Sequence, residues 1–201
     1  MSGDSRARMV RSAASLISTR GVNATSFSDV LADSGAPRGS IYHHFPEGKR
    51  QLTEDAIGWT SQRVLAHLRA GTEVTAAGVL GRFIDMWRQV VLTSGGTAGC
   101  MVAGVAVDTG ADEGGLIEAV RATFRSWVAV LAGQLEAVGV PAERAAPIAL
   151  ATLAGMEGAL ILCRAEGGVG PLDAVAAELM RLLPPETPRP SPLTGPPPLT
   201  A

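Results

Sequence analysis

The chain has 201 residues, 46% of them hydrophobic, and a formal net charge of −2, which allows one sizeable core or a small domain attached to a larger one. Abundant Gly and Ala, with few β-branched and aromatic residues, favour an all-α fold over a sheet. Two cysteines, Cys100 and Cys163, exclude a disulfide framework and a cysteine metal site and read as buried thiols. The opening residues lack the apolar stretch of a signal peptide, so a cytoplasmic protein is expected.

Charge is spread unevenly. Residues 1–50 carry seven Lys/Arg against four Asp/Glu, and residues 51–201 carry ten against fifteen. A basic head on an acidic body is the distribution expected when only the head meets nucleic acid. Val10, Ala13, Ala14 and Ile17 fall at i, i+3, i+4 and i+7, predicting a helix over 6–20 that Gly21 ends. Ser26, with Asp29 three residues on, is a capping-box start for a second helix whose buried stripe is Phe27, Val30 and Leu31. Ser34-Gly35-Ala36 makes a tight turn. Pro37 suits the first position of a third helix running to about His44, with Ile41 and Phe45 facing inward. Three short helices, the last two joined by a glycine turn, make a helix-turn-helix.

Past Pro46 longer helices are expected, over 48–70, 76–93, 116–138, 142–166 and 172–183, with a short apolar piece, MVAGVAV, after the loop SGGTAGC. Residues 145–163 approach a membrane-spanning length with Glu157 as their only charge. Pro147 and that mid-span carboxylate favour instead a helix buried within protein, and no membrane partner is expected. Residues 184–201 hold eight prolines and no apolar periodicity, as in a disordered tail.

SGAPRGSIYHHF, residues 34–45, holds the chain's only tyrosine and two of its three histidines. The second helix of a helix-turn-helix enters the DNA major groove and presents its N-terminal residues to base edges. With Ile41 and Phe45 as anchors, Arg38, Ser40, Tyr42 and His43 point outward. Arg38 suits a guanine by paired hydrogen bonds, and Ser40 suits a donor or an acceptor. Pro37 opens this helix, and Gly39 lets the backbone approach the groove floor. Tyr42 and His44 suit phosphate oxygens, as does Ser26 at a helix N-terminus. Lys49, the only lysine, adds a charged phosphate contact.

The run TSFSDVLADSGAPRGSIYHHFPEGKRQL, residues 25–52, resembles the DNA-binding domain of the TetR family of bacterial transcriptional regulators. Gly35, Gly39, Ile41, Tyr42, His44, Phe45 and Lys49 take the places of the family pattern. The departures are Val30-Leu31 for an isoleucine-alanine pair, Ser34 before the turn glycine, Pro37 where serine is common, and one extra residue before Lys49. Ala-Pro-Arg-Gly-Ser and Phe-Pro-x-Gly-Lys look like a multidrug-related branch. The resemblance implies a helix-turn-helix DNA-binding domain over 1–50 and a helical ligand-binding and dimerisation domain over 51–183. It also implies a homodimer on a palindromic double-stranded DNA operator, repressing until a small apolar or aromatic effector binds, with no cofactor.

Residues of the body suit both tasks. Leu150, Leu153, Glu157, Leu160 and Arg164 follow a 3-4-3-4 spacing, and Gly155, Gly158 and Ala159 are small enough for another helix to approach. With Leu179 and Leu182 they suit a four-helix interface across a two-fold axis, the alternative being the core of a monomer. Trp87, Cys100, Met101, Phe124 and Met156 suit an adaptable apolar effector cavity, the alternative being ordinary core packing. An enzyme is not expected. Cys100 has no histidine near it in sequence, His43 and His44 point about 100° apart on a helix, and SGGTAGC lacks phosphate-loop spacing. A helical protein-interaction module without sequence-specific DNA binding stands as the alternative function.

Overall fold

The computed structural model of the chain describes residues 2–110 and 114–185. Among them nine helices follow in order: α1 (Ser2–Arg20), α2 (Phe27–Ser34), α3 (Ser40–His44), α4 (Lys49–Arg69), α5 (Ala76–Ser94), α6 (Met101–Asp108), α7 (Gly114–Ala137), α8 (Ala142–Glu166) and α9 (Gly170–Met180). The fold is all-α, as composition and periodicity require. Most of the proline-rich stretch, residues 186–201, lies outside the described residues.

The apolar stripe of α1 buries Met9, Val10, Ala13, Ala14, Leu16 and Ile17 against α2, α3, α4 and α6. Val30, Ile41 and Phe45 complete the head's core, each at most 1% exposed. The helix α3 is shorter than expected: Pro37, Arg38 and Gly39 form a turn in which Ser40 N–H donates to the Pro37 carbonyl at 2.9 Å. Pro37 therefore precedes the helix rather than opening it. Five residues are too few to hold a helix by their own hydrogen bonds, so the buried Ile41 and Phe45 side chains fix its position.

Helix α4 packs on α1 of the head and on α7 of the body, burying Leu52, Ala56, Ile57, Val64 and Leu68. The body centres on α8, which packs on α5, α7 and α9 and buries Ile148, Ala149, Thr152, Met156, Ala159 and Cys163. It is long and apolar enough to cross a membrane, but protein helices cover its buried side. Gly155 serves this packing. A Cβ there would stand 3.2 Å from Leu179 Cδ1 and 3.3 Å from Val175 Cγ1, so the small residue admits α9 of the same chain, not a second chain.

Three ties join head to body at the end of α1, where helix carbonyls need donors. Gly99 N–H donates to the Ser18 carbonyl at 2.9 Å. The Arg164 guanidinium donates to the carbonyls of Thr19 at 2.6 Å and Thr97 at 3.0 Å. The Asp108 carboxylate, ending α6, accepts Val22 N–H at 2.7 Å. Gly21 turns the chain between these ties with φ +83°, and a Cβ on it would collide with Asp108 Oδ2. Both the left-handed backbone and the close approach call for glycine.

Candidate DNA interface, self-association face and effector cavities

One face of the head carries the residues singled out around α3. Pro37, Arg38, Gly39, Tyr42 and His43 are exposed, Ser40 and His44 half-buried. Tyr42, 70% exposed, rests edge-on against Phe27 with ring centroids 5.7 Å apart, which holds its hydroxyl away from the head. Arg38 and Lys49 make no ion pair among the described residues, whereas Arg50 is held by Glu47 and Glu54.

Two of the sequence expectations need correction here. Ser40 Oγ donates to the Pro37 carbonyl at 2.6 Å, so in this state it offers a partner only lone pairs. Ser26 is committed to its cap. Its backbone N–H donates to Asp29 Oδ2 at 2.8 Å, and its hydroxyl donates to the same oxygen at 2.5 Å. The Asp29 carboxyl, held below its ordinary pKa by these side-chain and backbone bonds, already occupies the anion position at the start of α2. A phosphate at Ser26 would meet that negative charge.

The residues assigned to self-association divide. Leu153, Leu160 and Leu179 are buried within the chain itself, filling its own core and leaving little for a partner. Arg164 binds Thr19 and Thr97, and so ties head to body. Glu157 turns inward as well, with Oε1 buried and without a hydrogen-bond partner among the described residues. Burial pushes its carboxyl up to about 7, partly offset by the Cys100 thiol beside it. The same burial, then the carboxylate, push the Cys100 thiol well above its ordinary range. What α8 leaves exposed is Leu150 at 57%, Ile161 at 68% and Leu162. Leu182 after α9 is also exposed. An apolar groove of about 720 Å³ runs between α7 and α8, lined by Phe124, Val128, Leu150 and Leu153.

The expected effector set divides too. Trp87 and Met101 line a cleft of about 340 Å³ between α1, α4 and α5, while Phe124 lines the α7/α8 groove. Cys100 is buried against Glu157. Met156 is 0% exposed: no water-sized space touches it, so it is core, not lining. Between them runs an aromatic row. Phe83 meets Trp87 at 6.4 Å, Trp87 meets Trp127 at 6.3 Å, and Trp127 meets Phe124 at 5.7 Å.

This architecture matches known proteins along most of its length. Residues 10–56 match the family described as "Bacterial regulatory proteins, tetR family", and residues 76–178 match "Transcriptional regulator LmrA/YxaF-like, C-terminal domain". The chain belongs to the TetR family. A protein of Mycobacterium tuberculosis described as an uncharacterized HTH-type transcriptional regulator is 39% identical over 191 residues, 91% of this chain and 96% of the relative. The HTH-type transcriptional regulator LmrA of Bacillus subtilis is 28% identical, covering 90% and 97%. The crystal structure of a TetR transcriptional regulator from Legionella pneumophila superimposes with a TM-score of 0.78 at 24% identity, covering 88% and 96% of the two chains.

As a TetR-family member the chain is a helix-turn-helix transcriptional regulator and not an enzyme. In this TetR-family member, sequence reasoning missed the lining that head and body give the cleft: Arg11, Ser15 and Ser18 on α1, and Trp59, Arg63 and His67 on α4. The signal was available in their spacing. Residues 11, 15 and 18, and residues 59, 63 and 67, each form one stripe at helical period.

Proposed function

We propose that the chain is a ligand-responsive repressor that binds a palindromic operator as a homodimer in the cytoplasm and leaves it when a small effector binds the body. The observation that carries the DNA reading is Arg38, exposed and without an ion pair among the described residues, in the turn that leads into the short α3, where Tyr42 and His43 are exposed and the buried Ile41 and Phe45 anchor the segment. In this reading Arg38 takes a guanine edge, and Pro37 and Gly39 bring backbone close to the groove. Ser40 accepts from a base donor, while Tyr42, His43, His44 and Lys49 meet the groove wall and phosphates. A second copy seats on the outer face of α8, over Leu150, Ile161 and Leu162, because contiguous exposed apolar surface is what association removes from water. Two heads then face successive major grooves, roughly 34–36 Å apart.

Effector binding acts through the ties at the end of α1. Arg164 of α8 and Asp108 of α6 hold the head directly, so a shift of α6 or α8 moves α1. An effector releases DNA only by binding the shifted arrangement more tightly.

Selection of double-stranded DNA from a random pool tests the reading. The expected winner is an inverted repeat, bound by dimers with an affinity that falls steeply with salt. Recovery of no preferred sequence, with weak binding at low salt only, would refute base reading and leave the helical interaction module.

A further inference from the structure

We propose that the cleft between α1, α4 and α5 is a binding site for an organic anion with an apolar body, seated between the DNA-binding head and the rest of the chain. The site is independent of which cavity holds the effector of the preceding reading.

Four observations converge there. At about 340 Å³ the cleft falls within the range of small-molecule sites, which starts near 300 Å³. Its charged lining is of one sign: Arg11 and Arg63 line it, and no Asp or Glu does. Neither arginine has an ion-pair partner among the described residues, although eight other arginines on α1, α4, α5, α7 and after α9 do. The Arg63 guanidinium lies 4.9 Å over the Trp59 ring, which orders it and leaves its N–H edge free for an oxyanion.

The inner wall adds the second half of the recognition. Met86, Trp87, Val90 and Met101 line it, giving adaptable apolar surface for a ring or chain. Trp87 is only 4% exposed and its indole N–H has no acceptor among the described residues. A buried donor without a partner is a standing cost that an acceptor atom on a bound molecule would remove. Acidic oxygens near the arginines, an apolar body along the methionines and an acceptor near Trp87 define the ligand class. Because α1 supplies Arg11, Ser15 and Ser18 while α4, α5 and the start of α6 supply the other walls, an occupant touches head and body at once.

The test uses the full chain and two fluorescent probes, anilinonaphthalene sulfonate and phenylnaphthylamine, the same ring system without the sulfonate. Arg63→Gln is expected to weaken the sulfonate by about tenfold, the loss of a charge-assisted contact. Arg11→Gln combined with it should weaken it further, while the neutral probe is unchanged by either. Val90→Trp, which fills the cleft, should remove the sulfonate; if that variant does not fold, the exposed arginines decide alone. Val128→Ala, in the α7/α8 groove, should leave sulfonate binding intact. Absent sulfonate binding, equal losses of both probes in the arginine variants, or loss in Val128→Ala instead would each overturn the proposal.

Discussion

Replacing Glu157 with glutamine isolates what a buried carboxyl does to this fold. Burial raises its pKa from 4.5 to about 7, with the neighbouring Cys100 thiol opposing the shift. A displacement of about 2.5 pH units, at 1.36 kcal/mol each, means that ionising Glu157 in the native chain costs about 3 kcal/mol relative to the unfolded chain. Between the two pKa values the native state holds the proton more often than the unfolded state does. Stability therefore falls as pH rises across that window and levels off above it. Glutamine keeps the shape of the side chain but has no charge to desolvate. The stability gap between variant and wild type should be near zero at about pH 4 and should grow to about 3 kcal/mol in the variant's favour by about pH 8. For a chain of this size that is a difference in Tm of roughly 6–12 °C. Urea unfolding of both proteins across pH, at one fixed protein concentration so that self-association does not enter, measures the gap. Parallel pH profiles would refute the reasoning, since they would show that Glu157 is solvated in the native state.

Arg38→Ala should cost about 1–3 kcal/mol of operator affinity and relax base preference at one position in each half-site. Lys49→Ala should weaken all sequences alike and flatten the salt dependence by about one unit of slope; the two are separated by titrating matched and mismatched operators against salt, and identical profiles would undo the division of roles. Gly21→Ala puts a Cβ into the Asp108 carboxylate at a left-handed position, and should destabilise the chain by about 1–3 kcal/mol in thermal unfolding; an unchanged Tm would show that this corner rearranges freely. Leu150→Arg places a charge on the exposed apolar face of α8 and should convert the dimer to monomer in sedimentation equilibrium. A dimer that persists would move the interface off that face.

Local patterns in the sequence determined the local structure. The stripe Val10, Ala13, Ala14, Ile17, the capping pair Ser26 and Asp29, and the bounds of α8 were all legible, because periodicity and capping act within one or two helical turns. Around α3, the anchor Ile41 and the outward Tyr42 could be read for the same reason, since on one helix inward and outward follow from spacing, whereas Arg38 sits in the turn before it and Phe45 at its C-terminal cap. What the sequence did not contain was the identity of the neighbour. A stripe on α8 states that a face is buried but not against what, so Leu153, Leu160 and Leu179 served equally well as core or interface until α5, α7 and α9 were in place. Arg164 and Asp108 sit 145 and 86 residues from Thr19 and Val22, the groups they hold, beyond any local pattern. The same distance in sequence hid the cleft, whose arginines come from different helices. Local hydrogen bonding and periodicity were fixed by the chain's order; the partners across helices, and therefore every cavity and every charge pairing between helices, were decided by which faces packing brought together.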